Sequence, residues 1–367
     1  MDSARVTVCI PTYNRAHFLH QALHSLCDQG LAHHEYVIAI SDNCSNDETP
    51  DVVAEYQDRL QIVYHRNSET ISQKANWEVV DKLCETPYVS FLPDDDLLAP
   101  GQLGRALSVF DAHAGAVVVS PLIVVQRYPG DPESRIPLVF FRATAHSSYS
   151  EPYVWDTSEW LALNLLTSRS SIVGSVFQHE VLRRCELHKR YKILGDRVLM
   201  AEIALHGEVL SLPWIGAYRR MGEHRQSWRG LKEREVGKYE KAQQTREILD
   251  LCEKRNLPVL EFLVDQIYLS GGTQQQGFYL EKLRRKLPSY AYTEIHNAVN
   301  AKQERLHRQL RRTRKQLERS QTRLAALTTR YSSRRYKLAD ALVGGILRIP
   351  GIGKLVRRKD TSGFDPE

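Results

Sequence analysis

The chain has 367 residues, enough for two or three domains with full-sized cores, and its hydrophobic fraction of 42% is ordinary for a soluble protein. No run reaches the ~18 apolar residues of a membrane-spanning helix, and Met1-Asp2-Ser3 leads almost directly into a strand pattern without a signal segment. We therefore expect a cytoplasmic protein, peripheral on the cytoplasmic face of the membrane. The six cysteines are scattered, which predicts reduced thiols and argues against the usual zinc and disulfide frameworks.

Charge is distributed unevenly along the chain. The net charge is +6, yet residues 301–337 alone hold 13 Lys or Arg and two acids, a local charge of +11. A strongly basic segment indicates an anionic partner, such as a phospholipid surface, a nucleic acid or another acidic polymer. Few aromatic residues interrupt the basic run, which argues against nucleic acid.

Strand and helix patterns alternate at short intervals through the first part of the chain. Apolar runs predict strands at residues 6–10, 36–40, 61–65, 88–92, 117–125, 172–177 and 208–217. Helical patterns occur at about 18–26, 49–59, 72–83, 179–185 and 196–206. This alternation predicts an α/β fold with a Rossmann-like, mostly parallel sheet flanked by helices. From Trp228 to about Ala301 the pattern is helical, which predicts a C-terminal helical extension.

Polar clusters follow three of the predicted strands, at residues 11–15, 41–47 and 94–96. Ligands of parallel sheets bind at the carboxyl ends of the strands, so the three clusters are candidates for lining one crevice. The last cluster is Asp94, Asp95 and Asp96. Adjacent carboxylates repel one another unless a cation or hydrogen-bond donors lie among them, and oxygen ligands suit Mg²⁺ or Mn²⁺. The alternative is a solvated turn near the start of the helix that follows Pro100.

Three later segments have patterns of their own. The long polar loop from about Tyr128 to Pro152 is expected to be a lid or an acceptor-binding insertion.

Residues 306–331 show a four-three alternation typical of a heptad seam. Its members are Leu306, Leu310, Thr313, Leu317, Ser320, Leu324, Leu327 and Tyr331. The seam is compatible with a solvated stalk or with a homo-oligomer. Beyond it, apolar and basic residues alternate up to a break at Pro350, which favours an interfacial, membrane-associating tail.

Five segments taken in order resemble one known family. They are residues 6–15, 41–49, 66–67 with 74–76, 91–100, and 194–207. Together they are similar to family 2 glycosyltransferases, inverting enzymes with a GT-A fold, over about residues 5–228. The resemblance implies a GT-A domain at 1–230, with a helical extension at 231–300, a basic heptad helix at 301–337 and an amphipathic tail at 338–367.

The resemblance also implies a role for each polar cluster. Asp196 would be the catalytic base, and the metal ligands would be Asp95, Asp96 and His224. The residues implied in nucleotide-sugar binding are Pro11, Thr12, Tyr13, Asn14, Arg15, Asp42, Lys74, Asn76 and Asp94. The structural alternatives are an ordinary turn with Asn14 as a helix cap, and Asp196 as an N-cap.

Two positions depart from the family pattern. Pro93 stands where the family often has an acid, which leaves open whether Asp94 substitutes for it. Gly195 stands where the base motif often has Glu, so Asp196 is the only candidate for the base.

The implied activity is metal-dependent transfer of a sugar from a nucleotide-sugar to a hydroxyl of a cell-envelope or surface polysaccharide, or of a lipid-linked acceptor. The alternative from another class is a non-catalytic nucleic-acid or scaffold protein that acts through the basic helix. A sugar-nucleotidyltransferase is disfavoured, because residues 11–15 contain none of the glycines that its phosphate loop needs.

Overall fold

The computed structural model describes residues 4–127, 136–138, 150–166, 172–191, 195–221, 231–269, 273–284, 287 and 289–346. The chain forms two compact units, Met1–Val299 and Asn300–Glu367.

The strands of the first unit all belong to one sheet. They are β1 (Val6–Thr12), β2 (Tyr36–Asp42), β3 (Ile62–Arg66), β4 (Tyr88–Phe91), β5 (Leu97–Leu98), β6 (Ala116–Arg127), β7 (Ile136–Leu138), β8 (Tyr153–Trp155), β9 (Val176–Gln178) and β10 (Glu208–Met221). The helices are α1 (Ala16–Ser25), α2 (Thr49–Tyr56), α3 (Gln73–Lys82), α4 (Gln102–Ala112), α5 (Thr157–Leu166), α6 (His179–Arg184), α7 (Gly195–Ile203), α8 (Leu231–Lys254), α9 (Val259–Leu269), α10 (Thr273–Arg284) and α11 (Ser289–Ile346).

The sheet has the strand order β3-β2-β1-β4-β9-β6-β10-β5. The first four strands in this order, β3, β2, β1 and β4, are parallel to one another. The long β6–β10 pair is also parallel. Strand β9 lies antiparallel between β4 and β6 and joins the two parallel parts. The predicted α/β fold is confirmed. The carboxyl ends of β1, β2 and β4 lie side by side, which is where such sheets bind ligands.

Burial explains why the central strands form. The first five residues of β1 are all buried, as expected for a strand covered on both faces, whereas most of β3 at the sheet edge is exposed. A continuous apolar core joins the strands to helices α1 to α4, α6 and α7. A second core lies among α5 and α8 to α10 and takes in Ala291, Ile295 and Val299 at the start of α11.

Two predicted details of the fold are wrong. The strand expected at 172–177 is only β9 at Val176–Gln178, with a single bridge from Val173 to Phe91 before it. Helix α5 was not predicted from the sequence. It is buried along almost its whole length and so lacks the polar face that gives a helix its periodicity.

Helix α11 continues through the basic segment to Ile346. No helix among the described residues is both long and apolar enough to cross a membrane. Most of the predicted lid at 128–152 lies outside the described residues, as do residues 347–367 of the predicted tail.

The sheet core allows a stability prediction. Ile38 is fully buried on β2, between Val8 and Ile62 on the neighbouring strands. We expect Ile38→Ala to lower the free energy of unfolding by about 2–5 kcal/mol in chemical denaturation. The matched control is Ile215→Ala on β10, where the side chain is 41% exposed and the loss should stay below about 1 kcal/mol. Equal losses would contradict this assignment of the core.

Candidate active site

A cavity of about 320 Å³ lies at the carboxyl ends of β1, β2 and β4. Nine of the residues singled out in the sequence line it: Pro11, Thr12, Tyr13, Arg15, Asn76, Asp94, Asp95, Asp96 and Asp196. The other lining residues are Asn43, Thr70, Ile71, Gln73, Trp77, Pro93, Ile172, Val173 and Arg219. The cavity therefore has one acidic wall and one partly apolar wall.

The acidic wall is buried, which rules out the solvated-turn alternative for Asp94, Asp95 and Asp96. Their exposed fractions are 4%, 5% and 0%. Arg15 lies between two of the carboxylates, with Nη1 2.9 Å from Asp94 Oδ1 and 3.3 Å from Asp95 Oδ2. Thr12 Oγ1 donates a hydrogen bond of 2.9 Å to Asp94 Oδ2. Even with these partners, burial raises the pKa of Asp94 to about 6.

A second arginine supports the same loop from β10. The backbone N–H of Arg220 donates to Asp96 Oδ1 at 2.8 Å. The Arg220 guanidinium donates to the carbonyl of Asp95 and to Gln21, and lies 5.0 Å from the Phe18 ring centroid. The contacts with Asp95 and Asp96 join residues 125 and 124 positions apart, so no local motif in the sequence reveals them.

Asp47 fixes the loops after β1 and β2 to one another. Its Oδ2 accepts from the N–H of Ala16 at the start of α1, and its Oδ1 accepts from the N–H and hydroxyl of Thr49 at the start of α2. The carboxylate thus caps two helices, and Asn14 does not cap α1. Asn14 instead has the left-handed φ of 51° and accepts from the N–H of Asn46 at 2.8 Å.

Asp42 lies beneath the cavity and Asn76 lines it, and both side chains form hydrogen bonds with neighbouring residues. Asp42 does not line it: Oδ1 accepts from the N–H of Ser45 and Oδ2 from the Tyr64 hydroxyl at 2.7 Å. The Asn76 side chain lines the cavity, accepts from Ser41 and Asn67, and donates to the Ser41 carbonyl. The predicted contacts of both residues with a donor remain predictions.

Two other candidates lie elsewhere. The Lys74 ammonium donates to the carbonyl of Lys189 and does not line the cavity. His224 lies outside the described residues.

Asp196 enters the cavity from the first turn of α7. Burial raises the pKa of its carboxyl, and the positive charge of Arg219 partly offsets that rise. One oxygen accepts from the adjacent N–H of Arg197, so the group also serves the helix end. The Arg197 side chain is buried and donates to the carbonyl of Asn164 and to Thr245, which anchors α7 to α5 and α8.

Arg219 is a second cation that lines this cavity, beside Arg15. It comes immediately before Arg220 on β10, and neighbouring side chains of a strand point to opposite faces. Its Nε is buried and has no hydrogen-bond partner among the described residues. A buried donor of this kind is available to an anionic ligand.

The acidic wall also fits a divalent cation such as Mg²⁺ that binds through one or two carboxylates and through phosphate oxygens of its substrate. Among the described residues, no group of three or more His, Cys, Asp or Glu is arranged to hold a metal ion. Magnesium commonly binds through one or two carboxylates plus substrate phosphates, so it does not require such a group. Asp95 and Asp96, which both line the cavity, supply that number of ligands.

Comparison with known proteins identifies the domain that contains this cavity. Residues 7–182 match the sequence model of glycosyl transferase family 2. This part of the chain belongs to glycosyl transferase family 2. The match includes the acidic wall and the loops after β1 and β2, so the family domain supplies most of the cavity.

Relatives of the family 2 domain match it over short segments. Validoxylamine A glucosyltransferase of Streptomyces hygroscopicus subsp. jinggangensis is 36% identical over 116 residues, which cover 30% of this chain and 26% of that protein. Abequosyltransferase RfbV of Salmonella typhimurium is 31% identical over 111 residues, or 30% of this chain and 33% of that protein. The matches thus span a third or less of these relatives.

The fold of the family 2 domain extends further than these sequence matches. The crystal structure of residues 1–349 of Staphylococcus aureus TarS has a TM-score of 0.55 and 18% identity, and covers 80% of this chain and 86% of that one. Its complex with UDP-GlcNAc gives a TM-score of 0.53 at 17% identity, over 80% and 87% of the two chains. The GT-A fold implied by the sequence is therefore confirmed.

The glycine that departs from the family pattern has a steric reason in this structure. A Cβ placed on Gly195 would lie 2.9 Å from the carbonyl oxygen of His188, so a glutamate there requires the backbone to move. We expect Gly195→Ala to displace the start of α7 and with it Asp196. Displacements of about 1 Å in active sites cost up to roughly 100-fold in rate.

The matched control is Gly277→Ala on α10, where the added Cβ meets nothing within 4 Å. That change should leave activity intact and raise the stability to unfolding by about 0.5–1 kcal/mol. Thermal melting and the rate of glycosyl transfer would be measured for both variants. Wild-type activity in Gly195→Ala would show that the close approach to His188 does not position Asp196.

Proposed function

We propose that the chain is an inverting glycosyltransferase that moves a sugar from a nucleotide-sugar to a hydroxyl group of a polymeric acceptor. The observation that carries the proposal is the single cavity in which Asp95 and Asp96 share the space with the desolvated carboxylate of Asp196. An acidic cluster able to hold a cation beside a diphosphate, together with a separate base, is what such a transfer needs.

The donor would lie at the carboxyl ends of the strands. The end of β1 and the loop after it bring Pro11, Thr12 and Tyr13 to the cavity, where they can contact the nucleoside. Arg219 would bind the diphosphate with its unpaired Nε and hold the leaving group in line with the acceptor. The apolar wall, with Trp77 and Ile172, would pack on ring faces of donor and acceptor.

The charges around the cavity support a bound divalent cation. Four carboxylates (Asp94, Asp95, Asp96 and Asp196) face three described guanidinium groups (Arg15, Arg219 and Arg220), which leaves a formal charge of −1. A diphosphate brings further negative charge, so donor binding to the described groups alone would be repulsive. Mg²⁺ or Mn²⁺ held by Asp95 and Asp96 would neutralise the charge that grows on the diphosphate as its bond to the sugar breaks.

Asp196 would act as the general base. Its carboxylate takes the proton of the acceptor hydroxyl while that oxygen forms a bond to the anomeric carbon. The bond from the anomeric carbon to the diphosphate oxygen breaks on the opposite face, and the nucleoside diphosphate leaves with the electron pair. Attack from the face opposite to the leaving group inverts the configuration of the sugar.

Relatives suggest the class of acceptor. TarS of Staphylococcus aureus strain Mu50 is named a poly(ribitol-phosphate) β-N-acetylglucosaminyltransferase, and TuaG of Bacillus subtilis is named a putative teichuronic acid biosynthesis glycosyltransferase. Both names refer to surface polymers or their synthesis. We therefore propose a cell-envelope polysaccharide or its lipid-linked precursor as the acceptor, and a uridine diphosphate sugar as the first donor to test.

The experiment is a donor-turnover assay with a panel of nucleotide-sugars, with and without Mn²⁺. Asp196→Asn should lower kcat by about 100- to 10,000-fold, because the isosteric amide cannot accept the proton. Asp95→Ala should abolish the response to Mn²⁺. The control is Asp58→Asn, an exposed residue that does not line the cavity. Unchanged turnover in both cavity variants would refute the proposed mechanism.

The pH dependence gives a second test of Asp196. The base works only when it is ionised, so kcat/KM should be full above its pKa and fall as the pH is lowered through it. Since burial raises this pKa, the acidic limb should lie above the ordinary aspartate value of about 3.9. Arg219→Gln removes the charge that lowers the pKa of Asp196, so the limb should move to higher pH.

Arg59→Gln, at an exposed arginine outside the cavity, is the control and should leave the limb in place. The readout is the pH of half-maximal kcat/KM, which is independent of any loss of donor affinity that lowers the rate at every pH equally. A limb that does not move in Arg219→Gln would contradict the assignment of Asp196 as the titrating base.

A further inference from the structure

The basic part of α11 presents an apolar stripe to solvent. Leu306, Leu310, Leu317, Leu324 and Leu327 are 40–66% exposed, and they are the only exposed leucines among the described residues. Their 4-7-7-3 spacing keeps them on one side of the helix, where the intervening seam positions are Thr313 and Ser320. A row of large apolar side chains on a long polar helix marks an interaction surface.

From this surface we infer that the chain forms a homodimer, in which residues 306–327 of two copies pair as a parallel, in-register coiled coil. The occupant of the stripe is thus a second copy of the same stripe. Two features of the helix favour this partner: the position of its charges and the position of its two polar seam residues.

The charges leave the flanks of the seam nearly free of repulsion. Of the eight Lys and Arg residues between 304 and 329, only Arg314 and Arg323 stand at the positions beside the stripe, and the rest point away from it. In a parallel pair Arg314 faces Gln309 of the second copy, and Arg323 faces Thr328 of the second copy. Arg314 is also paired with Glu318 of its own helix, at 3.2 Å. The high positive charge of the segment therefore lies mostly on the outside of the dimer.

The polar seam residues select the parallel arrangement. With the helices parallel and in register, Thr313 meets Thr313 and Ser320 meets Ser320, so each hydroxyl has a hydroxyl partner across the interface. An antiparallel pair in which Leu310 meets Leu327 would set Thr313 against Leu324 and Ser320 against Leu317. Burying a hydroxyl against an apolar side chain without a partner costs about 1–3 kcal/mol.

The test measures the mass of the full chain in solution by light scattering and sedimentation. We expect twice the 42.1 kDa of one chain. Leu317→Lys with Leu324→Lys should convert the dimer to a monomer, because charges at the seam centre repel across the interface. The matched control places two lysines on the outer face, by Thr322→Lys with Ala325→Lys, and should remain dimeric.

Orientation is tested by cross-linking. Residues 300–367 contain no cysteine, so Ser320→Cys introduces a single thiol into the seam. Mild oxidation should give a disulfide-linked dimer only if the helices are parallel and in register, while wild type under the same conditions reports any cross-link through the native cysteines. A dimer in solution that fails to cross-link through residue 320 would overturn the parallel arrangement.

The competing occupant is a membrane. Vesicles of phosphatidylglycerol and phosphatidylcholine would be floated with wild type and with the Leu317→Lys, Leu324→Lys variant. A monomeric wild type that binds these vesicles through the leucines would overturn the homodimer and assign the stripe to lipid. A wild-type monomer without vesicle binding, a trimer, or a dimer that survives the lysine substitutions would overturn it as well.

Discussion

The contact of the Arg15 guanidinium with the carboxylates of Asp94 and Asp95 is the interaction on which the cavity depends, because buried like charges repel strongly at short range. Arg15 follows β1 and the two acids follow β4, so the contact also joins the loops of adjacent strands. Removing only one partner would leave an uncompensated charge in the core, which typically costs 3–5 kcal/mol. The arginine therefore allows these carboxylates to lie close together in a buried wall.

The loops around this contact are held by hydrogen bonds rather than by apolar packing. Asp47 caps two helices from a single carboxylate, and Asn76 satisfies Ser41 and Asn67 beneath the cavity. Such networks fix the positions of backbone N–H and carbonyl groups before a ligand arrives, which lowers the entropy lost on binding. Rigid loops on parallel strands thus present the acidic wall in one arrangement.

Much of this arrangement follows from local sequence patterns, and the remainder does not. Mostly apolar runs of five residues followed by Pro11, Ser41 or Pro93 identify both the strands and the ends that meet at the cavity. The pattern does not show that Asp42 lies below the cavity, since its partner Tyr64 comes from the next strand. Nor does it show the role of Arg220, whose contacts with Asp95 and Asp96 lie 125 and 124 residues away in the sequence. It also misses helix α5, which has no polar face. Periodicity reports burial and local conformation, whereas such pairings depend on the completed fold.

Arg219 and Arg220 show how one strand can serve both structure and chemistry. The N–H of Arg220 is bound by Asp96, which fixes β10 against the acidic loop at that point. Because side chains alternate along a strand, fixing one arginine beneath the loop turns its neighbour toward the cavity and Asp196. The residue bound by Asp96 and the arginine beside the base are therefore neighbours on β10. In the proposed reaction, Arg220 supports the acidic residues that would stabilise the leaving group, and Arg219 lies beside the base that would remove the proton.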